Sequence, residues 1–341
     1  MKAKSAAMQG GLALVGLGLA FATWQREPDQ KKGEVVLFDI AKTELQKVRF
    51  SDDKKWIEVE RRKDEDGEQR LWLKLSARPE LKQPARELRG NESAQRLFER
   101  FTPLYARRAL GKLAPDKLKE LGLDAPKRKL EITTTKGARA FSVGSPPGSS
   151  SDPYLRDEKD GAVFLFGSST IADLDTANVR LVERTLHPWK PADIESLTLA
   201  VGGPGGKSRS LTSKPGATAL AVKLSFGSKL DEQASGWHEK VWRLLGTDVL
   251  GKGELPAAGV PNLAVRIDYK VKGIKSAFIE LGRVQPATLA STKTPDGGVP
   301  AVPASGPAEV YVRTESTAGW VKVPAGANEL LNEAEKIVAA E

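Results

Sequence analysis

The sequence predicts an α+β fold: two tandem similar lobes of mostly antiparallel sheet, each with packed helices, after an N-terminal membrane helix. Three observations predict it. An uncharged run follows two lysines at the N-terminus, four blocks of sequence recur in the same order, and the stretches between turn residues alternate in polarity with period two. That alternation marks sheets with one wet face.

Residues 1–25 read as a membrane anchor or signal. Lys2 and Lys4 precede a run without charge from Ser5 to Gln25, and a span needs about 20 apolar residues. The reading taken first is an uncleaved anchor; a cleaved signal, for which Ala20-Phe21-Ala22 would serve, and a buried core helix are the alternatives. Trp24 favours the anchor, because an indole sits well at the membrane interface. The short basic region favours the N-terminus inside and the body outside. A polar tether, residues 26–34, follows.

The body reads as a duplication, with a first lobe at 35–183 and a second at 184–341. LFDIAKTELQKVRF (37–50) aligns without gaps to LHPWKPADIESLTL (186–199). GLDAPKRKLEI (122–132) has a counterpart in GVPNLAVRIDY (259–269), and KGARAFSVG (136–144) in KGIKSAFIELG (272–282). YLRDEKDGAVFLF (154–166) parallels YVRTESTAGWVKV (311–323).

Each lobe opens on a strand, VRF or LTLA, with a hairpin partner, WIEVERR or KSRSLTS. Ala94, Leu97, Phe98, Phe101 and Leu104 fall at helical spacing behind Asn91 as cap. APDKLKELGLDAP gives a short helix with Pro115 at its first position and Gly122 as its stop. RKLEITTT pairs with RAFSVG, and PYLRD with AVFLF, across turns at Lys136-Gly137 and Asp160-Gly161. Each lobe closes on a helix, the second with Leu330, Leu331, Ala334, Ile337 and Val338 as its apolar stripe. Residues 283–307, rich in Pro, Ala, Gly, Ser and Thr, read as a flexible insertion without core residues.

Composition narrows the chemistry. The chain has 341 residues, no cysteine and two histidines, His187 and His238. Thiolate chemistry and disulfides are excluded, and most zinc and triad chemistries with them. The net charge is +9, concentrated between residues 76 and 129, where fourteen Lys or Arg meet seven Asp or Glu.

VGGPGGKS (201–208) has the look of a phosphate loop, but that loop needs a glycine at 201, where Val201 stands, and a following helix. It reads as a hairpin turn. HEKVW lacks the second histidine of a zinc helix, so His238 reads as a surface or interface residue. No carboxylate spacing marks a general acid and base. The repeated Tyr-x-Arg, Tyr154 with Arg156 and Tyr311 with Arg313, puts ring and guanidinium on one face of a strand. The pair fits mutual stacking, or an anionic or sugar ligand. Arg86, Arg89, Arg96, Arg100, Arg107 and Arg108 would line a flank of the first helix and the following strand, either as a basic face or paired with Glu87, Glu92 and Glu99. The candidate ligand or partner residues are therefore Tyr154, Arg156, Tyr311, Arg313, Arg96 and Arg100. No catalytic, cofactor or metal residue is assigned.

The order LFDIAKTELQKVRF, helix, ELGLDAPKRKLEI, SVG, PYLRD, VFLF, VERTLHPWKPADIESLTL resembles the domain of unknown function 4340 family of membrane-anchored bacterial envelope proteins. Gly-Leu-Asp-x-Pro, the Tyr-x-Arg strand and the Pro-x-x-Asp-Ile turn carry the likeness. Gly259-Val260-Pro261, without the turn acid, and the 283–307 insertion depart from it. The resemblance implies association with ABC-type export or gliding-motility systems and no known activity. The expected function is a non-enzymatic, membrane-tethered extracytoplasmic scaffold with an envelope protein partner and no nucleic acid or cofactor. Its alternatives are a module binding anionic glycan or lipid, and an enzyme with an unrecognised site around His187 or His238.

Overall fold

In the computed structural model the described residues are 34–340, apart from 65–66, 79–83, 146–151, 204, 217–220, 275–276 and 286–307. The expected membrane helix at 1–25 lies outside them. Among the described residues no helix is long and apolar enough to cross a membrane.

Alternating polarity is realised as two nine-stranded antiparallel sheets. The first contains β2 (Leu45–Ser51), β3 (Trp56–Lys63), β4 (Gln69–Leu75), β5 (Arg86–Arg89), β7 (Arg108–Gly111), β8 (Arg128–Thr134), β9 (Gly137–Gly144), β10 (Tyr154–Asp157) and β11 (Val163–Leu165). Its order is β5-β4-β3-β2-β8-β9-β10-β11-β7. A small ladder joins β1 (Val35–Phe38) to β6 (Leu104–Ala106). The second sheet contains β12 (Ile194–Val201), β13 (Ser208–Pro215), β14 (Val222–Phe226), β15 (Lys229–Asp231), β16 (Asp248–Val249), β17 (Asn262–Val271), β18 (Ala277–Val284), β19 (Glu309–Thr314) and β20 (Val321–Val323). Its order, β15-β14-β13-β12-β17-β18-β19-β20-β16, is the first order with each strand replaced by its counterpart.

The correspondence extends to single residues. Val48 faces Ile132 and Phe50 faces Leu130; at the matching places Leu197 faces Tyr269 and Leu199 faces Ile267. The register slips at one equivalent point in each lobe, between Leu45 and Lys47 and between Ile194 and Ser196. Gly144 faces Tyr154, and Gly282 faces Tyr311. Both glycines are required by close approach: a Cβ would lie 2.4 Å from the Leu121 carbonyl oxygen at Gly144 and 2.7 Å from Pro261 Cβ at Gly282.

Each sheet packs helices on one face. In the first lobe α1 (Glu92–Glu99) starts at Asn91, whose side chain accepts from the Ala94 amide at 3.0 Å. Its second-lobe counterpart, α5 (Glu232–Trp242), starts at Asp231, which accepts from Ala234 at 2.8 Å. The helix α1 is shorter than its apolar spacing indicates. Pro103 supplies no amide and disfavours helical backbone at Thr102, so Phe101 and Leu104 leave the helix and form a bridge, both still buried. The short α2 (Pro115–Glu120) ends where Gly122 takes a positive φ of 65°. The first lobe closes on α3 (Ser168–Asp175) and α4 (Ala177–Arg180), and the second on α6 (Ala327–Ala339). In α6 Leu330, Leu331, Ala334 and Ile337 are buried, with Val338 packed at the margin.

VGGPGGKS is a hairpin turn: Gly202 and Gly203 adopt φ of 82° and 76°, and β13 follows where a phosphate loop would have a helix. The insertion starts later than its composition indicates, because Arg283 and Val284 close β18 opposite Val310 and Glu309; residues 286–307 lie outside the described part.

Replacing either crossing glycine with alanine forces an atom into occupied space. Gly144→Ala and Gly282→Ala should each lower unfolding free energy by about 2 kcal/mol, measured by urea denaturation. An exposed turn change, Gly137→Ala, where nothing lies within 4 Å, should cost only the backbone penalty of its φ of 135°, about 1 kcal/mol.

Candidate functional site

The Tyr-x-Arg strands occupy equivalent positions but do different work. Tyr311 is buried and its hydroxyl donates to Glu309 at 2.7 Å. Arg313 stacks on Trp320 at 4.9 Å rather than on Tyr311, and its Nε donates to Glu280 at 2.8 Å. Glu280 is only 4% exposed and is held from the other side by Arg266. In the first lobe the residue opposite Arg156 is Ser142, where the second lobe has Glu280. Arg156 therefore lacks that carboxylate and makes no ion pair among the described residues. Tyr154 lies between Gly144 and Leu165 on the same sheet.

The arginines of the basic stretch do not form one face. Arg96 pairs with Glu92 at 2.7 Å, the expected helical spacing. Arg100 instead crosses to Asp173 at 2.9 Å, an acid shared with Arg180, and so ties α1 to α3 and α4. Arg89 reaches Asp64, and Arg107 binds Asp152. Arg61, on the inner side of β3, lies over Phe98 of α1, whereas Arg156 alternates with the buried Leu155 and faces the outer side. The sheet thus separates Arg96 and Arg100 from Arg156, and Arg313 belongs to the other lobe.

His238 departs from the surface reading, and His187 packs beside it. His238 is completely buried, its Nε2 3.0 Å from the Tyr269 hydroxyl. His187 stacks on Trp242 with ring centres 3.9 Å apart, and both its nitrogens are sealed from solvent without a hydrogen-bond partner. Trp189 completes the cluster against Trp242 and Tyr269. Burial holds His238 down to about 4; burial, and then the charge of His238, hold His187 down to about 3. The pair is neutral core, placed where the chain enters the second lobe.

The lobes are locked at the free side of β5. The chain leaving α4 runs along that edge: Glu183 donates its amide to the Arg89 carbonyl at 2.8 Å, and Asn91 donates to Leu181 at 2.9 Å. The second lobe covers the rest, Lys252 donating its amide to the Glu87 carbonyl at 2.8 Å. Gly251 is pressed so close that a Cβ would meet the Glu87 amide at 3.1 Å. Arg86 binds Glu254 at 2.9 Å and Asp248 at 3.5 Å. Beside this lock lies a cleft of about 180 Å³, lined from the first lobe by Trp56, Ile57, Leu75, Leu88 and Val182 and from the second by Val249. None of the residues singled out in the Tyr-x-Arg strands lines it. Its signal in the sequence is Arg86, one cation among several.

Residues 91–240 match the model of the Domain of unknown function (DUF4340). This stretch is a DUF4340 region. It begins at the cap of α1 and ends within α5, so the matched unit runs from one helix to its counterpart in the next lobe. The chain matches no curated protein and no solved structure.

Two outcomes follow from this geometry. An unfolded histidine takes up its proton near pH 6.5, while these two resist protonation to about 4 and about 3 when folded. Stability contributed by the neutral pair is whole above pH 6.5 and is lost as pH falls toward 4, by about 1.4 kcal/mol per pH unit per histidine. His187→Phe should roughly halve that slope in urea titrations run from pH 7 to pH 4. In a double-mutant cycle, Arg86→Ala and Glu254→Ala should show a coupling of about 1 to 3 kcal/mol; both side chains are largely buried, at 17% and 15% exposure.

Proposed function

We propose that the protein is a non-enzymatic, membrane-tethered extracytoplasmic scaffold, an accessory subunit of an ABC-type transport or gliding-motility-like envelope complex. Its body stands outside the inner membrane on the N-terminal anchor. The reading is supported by the basic-then-apolar N-terminus, by the DUF4340 region and by the way the lobes differ.

The carrying observation is the contrast between the outer sheet faces. On the first lobe that face is filled with mutually paired charges: Lys47, Lys74 and Arg49 around Glu58, and Lys129 between Glu131 and Glu158. On the second lobe the counterparts of β2 and β3 instead carry Ser196, Thr198, Ser208, Ser210 and Thr212, small hydroxyl side chains with Thr198 and Ser210 in mutual contact at 3.1 Å, while paired charges stand farther along the sheet, Arg266 with Asp268 and Glu280 and Arg313 with Glu280. One body with a self-satisfied face on the first lobe and a hydroxyl patch on β12 and β13 of the second suits a scaffold. A basic face for anionic glycan or lipid is less well supported, because most of its arginines are already paired.

Pull-down from solubilised membranes should recover transporter or motility subunits with the full chain. Thr198→Arg with Ser210→Arg should lower that recovery at least several-fold without altering urea stability. Recovery of glycan or lipid alone, or recovery indifferent to the double variant, would overturn the reading.

A further inference from the structure

The cleft between the lobes has a composition that neither lobe explains. Its floor is apolar and sealed: Ile57, Leu88, Leu174, Val182 and Val249 are each at most 5% exposed. Its rim carries four cations, Lys55, Arg78, Arg86 and Arg184, against two carboxylates, Asp175 and Asp248. Each carboxylate is already engaged. Lys55 donates to the Asp175 carbonyl at 2.6 Å and lies 3.6 Å from its carboxylate, and Arg86 lies 3.5 Å from Asp248. Arg78 and Arg184 make no ion pair among the described residues, so the rim keeps two uncompensated positive charges beside an apolar floor. Val179, 61% exposed, stands on the same lining.

Size limits the occupant. A cavity of about 150 Å³ lined by aliphatic side chains takes up a benzene-sized molecule, whereas sites for drug-sized ligands run to about 300 Å³ or more. The 180 Å³ here fits an apolar group no larger than one big side chain. An anionic group on that tail would stay at the rim, where the guanidiniums supply charge-assisted hydrogen bonds. We propose that the interlobe cleft is a binding site for a small amphiphilic monocarboxylate, its short aliphatic or monocyclic tail on the Ile57, Leu88 and Val182 floor and its carboxylate between Arg78 and Arg184. The site exists only while the lobes are locked, since Val249 and Asp248 come from the second lobe. Occupancy therefore bridges the two.

The test uses the full chain in lipid nanodiscs and a diazirine-bearing hexanoate as photoprobe, with adducts mapped by mass spectrometry. Adducts should fall on peptides containing Lys55–Ile57, Leu174–Arg184 or Asp248–Val249. Excess hexanoate should compete them away, and hexylamine should not. Arg78→Ala with Arg184→Ala, the first half-buried, the second exposed and neither in the apolar core, should weaken labelling about tenfold, the worth of roughly one charge-assisted contact. Val182→Trp should abolish it by filling the floor. Labelling spread over the body, labelling that hexylamine displaces as well as hexanoate, or labelling unchanged in the double arginine variant would each overturn the proposal.

Discussion

The register of two central strand pairs governs the rest of this molecule. In an antiparallel sheet a slip of one residue turns every side chain to the opposite face. With Phe50 set against Leu130 and Leu199 against Ile267, the neighbouring strands must present their apolar residues to the helices and their polar ones to water. The shared slip near Leu45 and Ile194 then aims the incoming chain of each lobe at the same place. The glycines at 144 and 282 are a consequence. Once β8 and β9, or β17 and β18, are in register, the loop ahead of β8 or β17 crosses the sheet at a position where no side chain fits.

Within that shared frame the lobes have diverged where divergence costs little. Ser142 and Glu280 occupy one position, and the substitution redistributes charge on the outer face: Glu280 gathers Arg266 and Arg313, while Ser142 leaves Lys129 to Glu131 and Glu158 and leaves Arg156 without an ion pair among the described residues. The edges have diverged too. The outer edge of β5 is covered by the chain leaving α4 and by Lys252, which protects it from adventitious strand pairing. Its counterpart β15 is short, only three residues, and carries exposed Leu230 beside exposed Phe226. A short strand is itself a defence, since it offers few free backbone groups. The covered edge is also what builds the interlobe cleft. Function attributed to that cleft therefore depends on both copies being present in one chain.

Features set by local sequence were legible. Period-two alternation located β2, β3, β8 and β9, and Asn91 identified the start of α1 because a capping side chain acts three residues away. Pro115 and Gly122 bracketed α2 for the same local reasons. The four recurring blocks led to the equivalent strand order, since a duplicated sequence keeps its register. What escaped was long-range. QRLWLKL and RELR, β4 and β5, carry no strong turn signal between them and are held by pairing with β3 and by the second lobe. Phe101 and Leu104 kept helical spacing after the helix had ended, a case where Pro103 outweighed periodicity. His238 was illegible because its burial depends on Tyr269 arriving from β17, a separate element 31 residues away. The pairing of Arg100 with Asp173, 73 residues away, was hidden for the same reason.

The claim on which the account rests is that both halves hold the same register at their centres. The chain contains no cysteine, so paired cysteines read register directly. Lys47 faces Thr133, and at the equivalent place Ser196 faces Lys270. Cysteines at directly opposed strand positions lie within disulfide reach. Oxidation of the folded protein should link Lys47→Cys with Thr133→Cys and, equally, Ser196→Cys with Lys270→Cys. A link that forms in one lobe while the other closes only with its partner moved by one residue would contradict the account.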